Sequence, residues 1–142
     1  MPRSTARRRQ QRKPPTGLAE ESRPFVHDEI VRGIEARRVK DLIDRGVLTA
    51  KQVYRVIPER TFGRRLANRE PLKPTEADAI GRLWRVTEEA CTTFGDKGFA
   101  RKWLNLPNPA LKDRVPIELA ETDAGAREVE VILTRIAHGV YS

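Results

Sequence analysis

Apolar residues recur along most of this chain at intervals of three and four, the spacing that places them on one face of a helix. From Phe25 to Arg45 the set is Ile30, Ile34, Val39, Leu42 and Ile43, with Gly33 breaking it into two short helices and Gly46 stopping the second. Thr49 is a good N-cap for a short helix that turns Val53, Val56 and Ile57 inward. Pro58 suits the opening of the next helix, Glu59 to about Asn68, because a first-turn proline loses no intrahelical bond. Pro71 and Pro74 mark a linker. Thr75 is then expected to cap a long helix whose inward face reads Ile80, Leu83, Trp84, Thr87, Cys91 and Phe94 up to Gly95. Asp96 begins a helix with Phe99, Ala100, Trp103 and Leu104 on one side, ended by Pro107 and Pro109. Asn105 to Val115 reads as mostly irregular, and Pro116 opens a turn of helix through Leu119. Thr122 caps a final helix carrying Ala126, Val129, Ile132, Leu133 and Ile136 until Gly139. No stretch has strand-like alternation and no segment repeats, so the expected fold class is all-α.

Composition narrows the function. Of 142 residues 38% are hydrophobic and 34% charged, and no apolar run nears the roughly 18 residues of a membrane helix, which excludes a spanning role. Met1 is followed by arginines and no apolar signal segment, so a cytoplasmic location is expected. Cys91 stands alone, fits the core face of its helix, and has no neighbouring histidine in sequence to activate it. His27 and His138 lack metal-ligand spacing, so no metal or other cofactor is expected. With no Gly-rich phosphate loop and no paired general acid and base, an enzyme is not expected either.

Charge then divides the chain. The formal total is +8, and residues 1–17 carry six bases and no acid before ending in Pro14-Pro15-Thr16-Gly17. Residues 1–22 are therefore expected to form a disordered basic arm, although a plain solubilising leader has the same composition. Between Lys51 and Arg69 six bases face Glu59 alone, whereas from Pro116 onward five acids outnumber two arginines. This inversion points to a polyanion for the front of the chain and a different partner for the back.

Two segments can carry chemistry. Thr49 to Asn68 forms a helix, a tight turn and a second helix, a pattern that suits a helix-turn-helix with its second helix in the major groove. With Ile57, Phe62 and Leu66 inward, Arg60, Thr61, Arg64 and Arg65 are expected to face outward. There arginine can bond guanine in pairs, and threonine can meet a phosphate or a thymine methyl. Lys51, Arg55 and Arg69 would serve phosphates. An ordinary solvated arginine-rich helix has the same pattern. This region is assigned to residues 23–72, and residues 73–142 to the connecting helix and a C-terminal domain. In the latter, two proline-fixed turns display Asn108 and Leu111, while Val140 and Tyr141 extend past the last helix, free to enter a partner or to fold back.

The succession WLNLPNPAL, PIELAET and VEVILTRIAHGVYS resembles the toxin-binding domain of the Xre/ParS/MbcA family of antitoxins. IPERTFGRR, LKPTEADAIGRLWRV and FGD are similar to the Xre-like helix-turn-helix and connecting helix of that family, so the resemblance runs from about Ile30 to Ser142. One departure is local: the family usually has a Gly-Gly pair after the Ala-Leu, where this chain has Lys112-Asp113. The resemblance implies an antitoxin that neutralises a RES-domain toxin, an enzyme that consumes NAD or transfers ADP-ribose, and that represses its own operon on operator DNA. It implies that Trp103, Leu104, Asn108, Ala110 and Leu111 shape or support the toxin-binding surface. It also implies that His138, Gly139, Val140, Tyr141 and Ser142 plug the toxin's active-site cleft. A homodimer is expected from the two-fold logic of helix-turn-helix operators. The alternative is a stand-alone helix-turn-helix transcriptional regulator without a toxin partner.

Overall fold

A computed structural model of the protein describes residues 25–139. The expected basic arm and the Val140-Tyr141-Ser142 end lie outside the described residues. The helices are α1 (His27–Arg32), α2 (Ala36–Asp44), α3 (Ala50–Val56), α4 (Glu59–Asn68), α5 (Pro74–Phe94), α6 (Lys97–Asn105), α7 (Pro116–Leu119) and α8 (Asp123–Ala137). A single 3-10 turn, Pro109–Leu111, sits between α6 and α7. Among the described residues no strand forms beyond the isolated bridges Glu35–Pro71 and Asn108–Arg114, as the all-α expectation requires.

Helix starts follow local chemistry. The Thr49 hydroxyl accepts from the Gln52 backbone N–H at 3.2 Å while the Gln52 side chain accepts from the Thr49 N–H at 2.9 Å, a reciprocal capping box. Asp96 accepts from the Phe99 N–H at 2.8 Å and Thr122 from the Gly125 N–H at 3.0 Å. The long helix departs from expectation by starting earlier. Pro74 is its first residue and the cap position is Lys73, not Thr75. Proline needs no partner for a missing N–H there, and the Glu76 carboxylate takes the Lys73 N–H at 2.9 Å.

The 21-residue α5 is the axis of the molecule, about 30 Å long at 1.5 Å per residue, and α1, α3, α6, α7 and α8 all pack on it. Its Ile80, Leu83, Trp84, Val86 and Ala90 are fully buried. They join Val39, Leu42, Val53, Ile57 and Phe62 from the front of the chain to Leu104, Ile117, Val129 and Leu133 from the back in one continuous core. Phe25 closes the top, its ring edge-on to Trp84 at 5.5 Å. The domain boundary expected at 72/73 falls just before this shared helix.

The α7–α8 corner is tight. A Cβ on Gly125 would stand 1.9 Å from the Leu119 carbonyl oxygen, so only glycine lets α8 begin so close to α7. Arg82 of α5 reaches the same corner, donating to the carbonyls of Ala120 at 3.1 Å and Glu121 at 2.7 Å. One aromatic side chain departs from its expected place. Phe99 is 55% exposed and stacks edge-on with Phe94 at 4.9 Å, because the buried stripe of α6 is Ala100 and Leu104 alone.

Candidate functional site

The front of the molecule carries the basic helix pair. Ile57 and Pro58 join α3 to α4, Phe62 is buried and Leu66 half-buried, and Arg60 and Arg64 are exposed. Thr61 is half-buried beside them and Lys51 is exposed on α3. Arg64 makes one loose ion pair with Glu70 at 3.7 Å, an exposed contact worth at most about 1 kcal/mol. Arg69 ends α4 in the left-handed conformation, φ 53°, and is exposed.

Two arginines expected on this face are committed elsewhere. Arg65 is 5% exposed and forms an ion pair and hydrogen bond with Glu76, in the first turn of α5. Three residues after Phe62, it shares that residue's inward face, and its long stem carries the guanidinium to a carboxylate from a different helix. Arg55, itself exposed, pairs with Glu118 at 3.1 Å and with Glu121. It thereby ties α3 to α7. Arg55, Lys51, Glu118 and Glu121 line one cleft of about 250 Å³. The sequence signal for these pairings was only the sign inversion after Pro116; the partners are 63 and more residues apart and nothing local links them.

The back of the molecule carries the proline loop. Leu104 and Leu111 are buried at 2% and 3% and hold its two ends against the core, while Leu106 stands 57% exposed and Ala110 is exposed between them. Trp103 is half-buried, its ring 5.4 Å from Phe94. Asn108 organises the loop: its side-chain oxygen accepts from the Ala110 N–H at 2.9 Å and its backbone N–H donates to the Arg114 carbonyl at 3.1 Å. Arg114 in turn reaches Glu128 of α8 at 2.7 Å. Between them Lys112 and Asp113 both adopt positive φ, 56° and 59°. These are the positions where the family resemblance leads one to expect a glycine pair, and the left-handed backbone here is one that glycine adopts freely.

Alongside the loop runs an open groove of about 340 Å³ lined by Ala110, Leu111, Ala124, Arg127, Glu128, Val131 and Ile132, with Val131 49% exposed. The C-terminal end of α8 leads to His138 and Gly139, both exposed, with Gly139 at φ 68°. Val140, Tyr141 and Ser142 belong to the expected plug and lie outside the described residues. The structure therefore places Trp103 and Leu104 in the last turn of α6, and Asn108, Ala110 and Leu111 on the loop that follows it.

Titration adds little chemistry. Burial pushes the half-buried Cys91 thiol up, Glu88 adds to this, and Lys97 and Arg101 oppose it, so the thiol is protonated near neutrality, as a core cysteine is. Burial likewise raises Glu89, with repulsion from Glu130 adding and Arg85 opposing. Among the described residues no His, Cys, Asp and Glu cluster has metal-binding geometry, and no helix is long and apolar enough to cross a membrane.

Residues 90–139, which contain α6, the proline loop, α7 and α8, match the model of the antitoxin Xre/MbcA/ParS C-terminal toxin-binding domain. A basic helix pair joined through one long helix to such a domain defines the antitoxin of a toxin-antitoxin pair. The chain belongs to the Xre family of antitoxins. It is 33% identical over 114 residues to Antitoxin Xre of Pseudomonas putida, covering 80% of this chain and 72% of the relative. Antitoxin Xre of Yersinia enterocolitica is 40% identical over 87 residues, covering 61% of this chain and 59% of the relative. Antitoxin Xre of Photorhabdus laumondii is 26% identical over 129 residues, 89% and 87% of the two chains.

Proposed function

We propose that this antitoxin neutralises a RES-domain toxin by covering its active-site cleft with the proline loop and inserting the end of the chain, His138 to Ser142. The observation that carries this reading is the coincidence of the toxin-binding match, residues 90–139, with an element set that presents the loop and ends on an exposed His138-Gly139 leading to the tail. Neutralisation is by occlusion, without catalysis, in the cytoplasm. The same chain, as a homodimer, represses its operon through α3 and α4. Arg60, Thr61, Arg64 and Lys51 contact the duplex there, and the exposed positions of Arg60, Arg64 and Lys51 support this. Arg55 and Arg65 serve this face indirectly, by fixing the helices that bear it.

Removing Val140-Tyr141-Ser142 tests the plug. The shortened protein is expected to lose protection against its RES-domain toxin while keeping promoter affinity. Full protection of growing cells by the truncated form would sink the plug reading.

A further inference from the structure

We propose that Lys112 and Asp113 are a two-charge contact for the toxin, a pair of side chains retained at the loop tip to meet groups of opposite sign on the partner's surface. This rests on the toxin-binding reading of the proline loop and adds the residues that read the partner's charge.

Both residues have positive φ, 56° and 59°, a conformation glycine adopts freely and a side-chain-bearing residue adopts at a cost. Two adjacent residues in that state are held there by their surroundings. The Asp113 N–H donates to the Asn108 carbonyl at 2.9 Å and the Lys112 N–H to the Pro109 carbonyl at 3.2 Å. The bridge between Asn108 and Arg114 closes the loop, buried Leu111 pins one end, and Arg114 locks the other through Glu128. The loop is thus a rigid tip whose backbone is made for glycine but bears two charges.

Inside this chain those charges do nothing visible. Both side chains are exposed, and neither makes an ion pair or side-chain hydrogen bond with any described residue. Their charged neighbours are already satisfied: Arg114 by Glu128, and Arg127 by Asp123. A backbone strained at a rigid exposed tip, carrying unpaired charges, is the pattern of a recognition element. The tip directly follows Ala110 and Leu111, which line an apolar groove with Ala124, Val131 and Ile132, so its two charges come next in the chain to an apolar floor, as polar rims stand beside apolar centres in interfaces. The complementary surface offers a carboxylate to Lys112 and a cationic or amide donor to Asp113, and this pairing discriminates against partners with the reverse charges.

The test uses the full chain and the purified RES-domain toxin of the proposed function, with affinity measured by titration calorimetry and stability by thermal melting. Lys112→Gly/Asp113→Gly is expected to melt no lower than the wild type yet to bind about tenfold more weakly or worse. Lys112→Asn/Asp113→Asn keeps a residue type tolerant of left-handed backbone, and is expected to weaken binding similarly. Exchanging the two, Lys112→Asp/Asp113→Lys, is expected to weaken it further by placing like charges together. Binding of the asparagine variant within about threefold of wild type overturns the proposal, whatever the glycine variant does, because side-chain charge is then not read. A wild type that does not bind this toxin overturns the toxin reading itself, and the contact with it.

Discussion

Arg65 and Arg64 are neighbours of the same type with opposite roles. Arg65 is buried against Glu76, so truncating it strands a carboxylate that is mostly shielded from water. Arg65→Ala is expected to cost about 3 kcal/mol in urea unfolding, whereas Arg64→Ala should stay within about 0.5 kcal/mol of wild type and instead lower promoter affinity at physiological salt. Equal stability losses in the two variants would overturn the assignment. Counting polar residues along α4 puts both outside, because the count treats arginine as a surface residue and cannot see a carboxylate eleven positions on. Lys112 and Asp113 were legible in the opposite sense. Their departure from the glycine pair that the resemblance leads one to expect marked the place, and the positive φ of both is a backbone that glycine adopts freely.

Elements whose boundaries depend on neighbouring residues were readable from the chain. Thr49, Asp96 and Thr122 cap the helices that they precede, since a capping side chain acts within three residues. Pro74 displaced the start of α5 by two positions, the choice between a capping Thr75 and a first-turn proline being settled by Glu76. What escaped the sequence lies between elements: the Arg55 pairs from α3 to α7, and the Phe94–Phe99 stack that leaves Phe99 in solvent. Burial of Glu89, with Glu130 of α8 adding to it, sets a pH dependence as well. Glu89 has a raised carboxyl pKa, so its charged form is less favourable in the folded protein than in the unfolded chain. It therefore weakens the fold above that raised pKa and has no effect well below the ordinary value of 4.5. Glu89→Gln should accordingly stabilise the protein at pH 7, with the gain shrinking as the pH falls toward 4.5. Parallel thermal melts of the two proteins across that range check this, and a gain that grows on acidification would contradict it.

At the scale of the whole molecule, α5 serves both ends. Val53, Ile57 and Phe62 bury against the same cluster as Ile80, Leu83 and Trp84, so residues 25–72 alone lack the surface they need. A peptide of that span is expected to be largely unfolded by circular dichroism, while 25–139 is helical; a cooperative melt from the short peptide would refute this. Genetics should register the shared helix in its own way. A screen for alleles that lose toxin protection but keep operator repression should collect substitutions on exposed positions of the proline loop and tail. A reciprocal screen should collect them on α3 and α4. Alleles in the buried face of α5, Leu83 or Trp84 for instance, are expected to be pleiotropic and to fall in neither collection, because no partner selects between functions that fold as one.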